Sequence, residues 1–66
     1  HEWIQTVGGF MKVGDLIRSK NDDFFEDMGY AVITKHNGGD VVFAWLSDGT
    51  DVYMRWWELE RFMVLA

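Results

Sequence analysis

Residues 41–57 read VVFAWLSDGTDVYMRWW, and this stretch decides the fold class. Its two halves are β-branched and aromatic, the residue types that suit a pleated, half-buried surface. Between them lies Asp48-Gly49, a pair that accepts the positive φ of a type I′ hairpin turn. The stretch therefore predicts two antiparallel strands joined tightly. On the second strand Val52, Met54 and Trp56 form the inward set, and Tyr53 and Arg55 point outward.

Upstream, residues 30–36 (YAVITKH) predict another strand, closed by the turn Asn37-Gly38-Gly39-Asp40. Alternation places Ala31, Ile33 and Lys35 on one face, and Tyr30, Val32 and Thr34 on the other. Residues 12–20 (KVGDLIRSK) predict the first strand, with Gly14-Asp15 as an interruption. The adjacent Leu16 and Ile17 break strict alternation, as at a bulge or an edge. Residues 19–28 (SKNDDFFEDM) read as a long acidic loop closed by Gly29, a candidate binding loop. Downstream, residues 57–61 (WELER) hold good helix formers but few of them, which predicts one 3₁₀ turn. Residues 62–65 (FMVL) make a short last strand. The expectation is an all-β, small five-stranded barrel over 11–66, with a single 3₁₀ turn before its last strand. Residues 1–10 are either a short strand ending at Gly8-Gly9 or a leader ahead of Met11. A leader carrying Trp3 and Ile4 would seek apolar surface to cover.

The chain has 66 residues, no Cys and a net charge of −5. A domain of this size buries only about 60% of its unfolded surface and is marginal alone. Disulfides and thiolate zinc sites are excluded, and His1 and His36 do not make a metal site. Two compensations remain: four Trp, five Phe and two Tyr, and a partner subunit. The acidic balance argues against nucleic acid and against an anionic membrane surface. No apolar run is long enough for a membrane helix. The absence of Cys fits a cytoplasmic setting.

In order, KVGDLI (12–17), GYAVITK (29–35), VVFAWLSDG (41–49) and WELERFMVL (57–65) resemble a small Src-homology-3-like barrel of an uncharacterised bacterial or phage family. The resemblance covers nearly all of 11–66. It implies a five-stranded barrel and carries little about function, since the fold hosts many activities. The Ala-Leu-Tyr-Asp-Tyr motif of the signalling members is absent, as is the basic Gly-rich loop of KOW-type barrels.

The candidate protein-interaction residues are Asp22, Asp23, Phe24, Phe25, Glu26, Asp27 and Trp57. The four acids form a patch suited to a basic partner segment. A bound cation is a second option, although the spacing departs from a calcium loop. The plainer reading is a solvated loop. Phe24 and Phe25, if extended, point opposite ways, so at least one should be exposed or covered by a subunit. The same reasoning separates Trp56 from Trp57. Tyr30, Phe43, Trp45, Tyr53, Trp56 and Trp57 could frame an aromatic cage for a cation, but in so small a domain they more simply form the core. His36 has no nucleophile near it in sequence and reads as a surface residue. The expectation is a non-enzymatic protein-interaction or self-assembly module without cofactor. Its partner would be a second copy or a larger protein. The alternative is a nucleic-acid-binding barrel of KOW or Tudor type, which would need Lys12, Arg18, Lys20 and Lys35 to be contiguous.

Overall fold

A computed structural model describes residues 4–6 and 9–66, with side chains from Met11 onward. The elements are β1 (Ile4–Thr6), β2 (Gly9–Met11), β3 (Leu16–Ser19), α1 (Asp22–Met28), β4 (Ala31–Asn37), β5 (Asp40–Trp45), β6 (Asp51–Arg55), α2 (Trp56–Phe62) and β7 (Met63–Leu65). β1 and β2 pair as a separate antiparallel ribbon, with Ile4 opposite Met11. The expected leader residues His1, Glu2 and Trp3, and the Val7-Gly8 end of the expected first strand, lie outside the described residues.

The other five strands form one antiparallel sheet in the order β6-β5-β4-β3-β7. β3 pairs with β4 on one side and with the last strand, β7, on the other. β6 and β7 are the two ends of that order, so the sheet is not closed into a barrel. Its inner face carries the core: Ile17, Ala31, Ile33, Val41, Phe43, Trp45 and Met63 from the sheet, joined by Met11, Trp56 and Leu59.

Two expectations about helix are corrected. The acidic segment is a seven-residue α-helix rather than a loop. Asn21 caps it, its Oδ1 accepting the Phe24 N–H at 2.9 Å. Asp22 and Asp23 occupy the first turn, where acids suit the helix dipole. Gly29 ends it, donating to the Phe25 carbonyl at 2.7 Å. The expected 3₁₀ turn is likewise a seven-residue α-helix, because it begins earlier, at Trp56. Glu58 accepts the Arg55 N–H at 3.2 Å, closing its first turn. Burial of Trp56 and Leu59 secures this helix against the sheet.

The strands also depart from simple alternation. A bulge between Ile33 and Lys35 shifts the β4–β5 register, so that Lys35 faces Val42 and His36 faces Val41. Lys35 is therefore exposed rather than inward, and His36 takes the inward parity. The His36 ring sits 6.4 Å from that of Trp56, so His36 is a half-buried packing residue and not a surface one. The Asp48-Gly49 turn is not type I′. Gly49 has φ +74°, while no residue other than glycine has a positive φ among the described residues. The loop instead spans Leu46 to Gly49, closed by Gly49 N–H to the Trp45 carbonyl at 2.8 Å. Asp48 accepts the Thr50 N–H at 2.9 Å, which holds its carboxyl below the usual range. The strand expected over 12–20 is β3 and starts only at Leu16, since Val13-Gly14 forms a turn.

Candidate functional site

The unclosed sheet leaves a groove of about 730 Å³ on its inner face. Val52 and Met54 of β6 line one side, and Phe62 and Met63 line the α2–β7 junction. Phe43 and Trp45 of β5 supply the floor, while α1 contributes Asp23, Phe24 and Asp27. These two acids stand one helical turn apart, so helical periodicity puts them on the same side as Phe24 and within reach of the groove. The lining is otherwise apolar apart from Ser19 and Asn21, and no Lys or Arg takes part.

α1 holds its place by aromatic contacts. Phe24 packs on Trp45 with centroids 5.9 Å apart, yet remains 47% exposed. Phe25 turns the other way, edge-on to Tyr30 at 5.1 Å, and lies under the Arg18 guanidinium at 4.6 Å. The two rings diverge as expected, but by helical rotation rather than strand alternation. Trp57 is 61% exposed on α2 and does not line the groove, whereas its neighbour Trp56 is buried. Of the seven expected interaction residues, the groove thus gathers Asp23, Phe24 and Asp27. Glu26 joins Asp23 and Asp27 in a shallow cleft of about 270 Å³ on the solvent side. Asp22 and Phe25 line neither hollow.

Sequence reasoning missed Ser19, Asn21, Val52, Met54, Phe62 and Met63 as groove residues. The helix itself was detectable: Asn at the N-cap, acids in the first turn and Gly after the last residue are start and stop signals. Their assembly with β6 was not, because it depends on how the sheet curls.

The aromatic cage does not form. Phe43 and Trp45 meet edge-to-face at 5.4 Å within the core, while Tyr30, Tyr53 and Trp57 are exposed at separate places. The four cations expected for a basic stripe divide between the two ends of β3. Lys12 is held by Asp15 at 2.8 Å, near the rung where Gly14 donates to Ile33. Lys35 lies toward that same end. Arg18 and Lys20 lie at the other end, where Lys20 donates its N–H to Phe62.

A second hollow, of about 610 Å³, is lined by Thr34, His36, Asp40 and Tyr53 together with Val13, Val41 and Val42. The Asp40 carboxylate beside Tyr53 raises the phenol above its ordinary range. Asp40 Oδ1, 3.6 Å from Arg55 Nε, and the indole Nε1 of Trp56 are buried without a hydrogen bond among the described residues. No cluster of His, Asp or Glu among the described residues is arranged to hold a metal. No helix among them is long and apolar enough to cross a membrane.

The fold and the groove define a small, mostly β protein: an unclosed antiparallel sheet whose apolar inner face opens beside an acidic helix. Comparison with known proteins matches no family model, no curated protein and no solved structure.

Proposed function

We propose that this chain is a non-enzymatic protein-interaction module of the SH3-like barrel type, and that the groove between β6, the α2–β7 junction and α1 receives its partner. The observation that carries the reading is the groove itself. Val52, Met54, Phe62 and Phe24 leave apolar surface beside open solvent, and a continuous patch of this kind marks contact sites. The pairing of the first sheet strand with both its neighbour and the last strand supports the barrel relationship. Such pairing starts to curl a meander on itself.

Charge supports a partner that is basic and proteinaceous rather than nucleic acid. Asp23 and Asp27 stand at the groove within a chain of net charge −5. The four cations of the expected basic stripe, Lys12, Arg18, Lys20 and Lys35, are split between the two ends of β3, so they make no continuous track for phosphates. A cytoplasmic setting belongs to the same reading, supported by the cysteine-free sequence.

Selection from a random peptide library displayed on phage tests this. The expected result is enrichment of peptides that combine Lys or Arg with apolar residues. Their binding should be lost in Met54→Lys, provided that variant keeps its circular-dichroism spectrum and melting temperature. Absence of enrichment, or binding indifferent to Met54→Lys, would overturn the reading.

A further inference from the structure

We infer that the groove takes an extended basic segment of another protein as an added β-strand along the free edge of β6. This inference rests on the interaction reading and adds the geometry and chemistry of the ligand.

The first observation is the hydrogen-bonding parity of β6. Trp45 donates to the Thr50 carbonyl at 3.0 Å, and Trp56 donates to the Gly39 carbonyl at 2.9 Å. Antiparallel ladders alternate bonded and non-bonded pairs. With Phe43 opposite Val52 and Val41 opposite Met54 in the same register, those pairs are the bonded ones. Asp51, Tyr53 and Arg55 therefore turn their backbone groups away from β5. The Arg55 N–H is taken by Glu58. The N–H and C=O groups of Asp51 and Tyr53 remain directed outward, and no strand among the described residues pairs with that side.

The second observation is what lies beside that edge. Val52 and Met54 project from β6 onto the groove side. A strand added at the edge continues the pleat, so its alternate side chains fall next to Val52 and Met54, toward Phe62 and Met63. Backbone bonds and an apolar floor are thus offered together, the two components of strand addition.

The third observation selects the occupant. Asp23 and Asp27 face the groove without any Lys or Arg in its lining. A second copy of this chain would bring the same acidic helix and another −5 of charge, so like charges oppose self-pairing here. A segment whose groove-facing side chains are apolar over the floor and Lys or Arg where they come beside α1 answers both the floor and the acids.

The probe is a blocked peptide of about seven residues whose alternate, groove-facing positions carry Val or Leu in the middle and Lys at both ends, which spans β6 at ~3.3 Å per residue. It is compared with the same peptide N-methylated at the alternate residues that do not face the groove, whose N–H groups would bond Asp51 and Tyr53, and with one carrying Glu for Lys. Titration calorimetry reads affinity, and amide hydrogen exchange reads Asp51 and Tyr53. The expected result is binding of the Lys peptide, affinity lower by about tenfold or more on N-methylation, and none for the Glu peptide. The amides of Asp51 and Tyr53 should exchange fast in the free protein and slow in the complex. Equal binding of the N-methylated peptide overturns strand addition while leaving the interaction reading standing. Failure of all three peptides also overturns it, and the library selection then judges the interaction reading separately. A dimer of the free protein with Asp51 and Tyr53 already protected assigns the edge to a second copy and overturns the inference.

Discussion

Asp15 shows how one side chain organises a turn. Its carboxylate accepts both the backbone N–H of Lys12 at 3.0 Å and the Lys12 ammonium at 2.8 Å. The Lys12 hydrogen bond holds the Asp15 carboxyl below its ordinary value. A depressed carboxyl stabilises the fold above its unfolded pKa, and this contribution disappears as the pH falls through the folded value. Lys12 is half-exposed, so the expected loss in Asp15→Ala is only about 0.5–1 kcal/mol at neutral pH. Urea melts at a series of pH values check it: the wild type and the variant should converge in acid. Gly29 is the other single residue with a sharp requirement. Its φ of +74° and ψ of −152° are open only to glycine. An added Cβ would meet nothing within 4 Å, so the penalty is backbone strain alone. Gly29→Ala should lose about 1–2 kcal/mol. Chemical synthesis with D-alanine at the same position should lose none, because the mirror-image residue favours that conformation.

At the scale of the element, α1 is a helix served well by the charges of its first turn and badly by those near its C-terminal end. Glu26 and Asp27 lie toward its C-terminal end, where the dipole disfavours acids, and its last turn has no basic residue. None of its residues is buried, so packing contributes little beyond the contacts of Phe24 and Phe25. Asp27→Lys should therefore stabilise the protein by about 0.3–1 kcal/mol. The same variant should weaken the Lys-bearing peptide, since it reverses a charge at the groove. Thermal melts and calorimetry on one sample check both halves. An acid retained where it destabilises its own helix is what a charge-recognising surface would produce. α2 presents the opposite case. Its seven residues are too few to be stable alone, and it stands because Trp56 and Leu59 are buried against the sheet.

Across the whole molecule, stability is small and shared. Natural domains carry ~0.05–0.15 kcal/mol per residue, which for this length gives about 3–10 kcal/mol. Leu59 is fully buried, and Leu→Ala at such sites costs about 2–5 kcal/mol. Leu59→Ala is thus expected to leave a large unfolded fraction at room temperature, read by far-ultraviolet circular dichroism and by loss of protection throughout the sheet. A loss confined to α2 would mean that the helix unfolds independently. The unclosed sheet belongs to this scale too. Leaving β6 and β7 unpaired with each other forgoes the hydrogen bonds of closure, and the groove between them is the consequence.

The strands were readable because their causes are local. Val52 and Met54 turn inward as their period demands, whereas β5 is apolar on both faces in sequence and only its packing selects Val41, Phe43 and Trp45 as the buried set. Asp48-Gly49 and Gly38-Gly39 mark turns by backbone chemistry alone, even though the first closes as a longer loop than a two-residue hairpin. The acids and the paired Phe residues of 22–27 were visible as an interaction candidate, and three of them do reach the groove. Other features answer to distant contacts. The bulge that turns His36 inward depends on how β4 meets β5, and α2 depends on the sheet beneath it. Whether the sheet closes depends on where β6 and β7 come to rest after every intervening twist has accumulated. Local periodicity thus determined which residues of these strands are extended, while packing selected which apolar face is buried. Only the summed geometry of five strands decided that this apolar face would stay open beside an acidic helix.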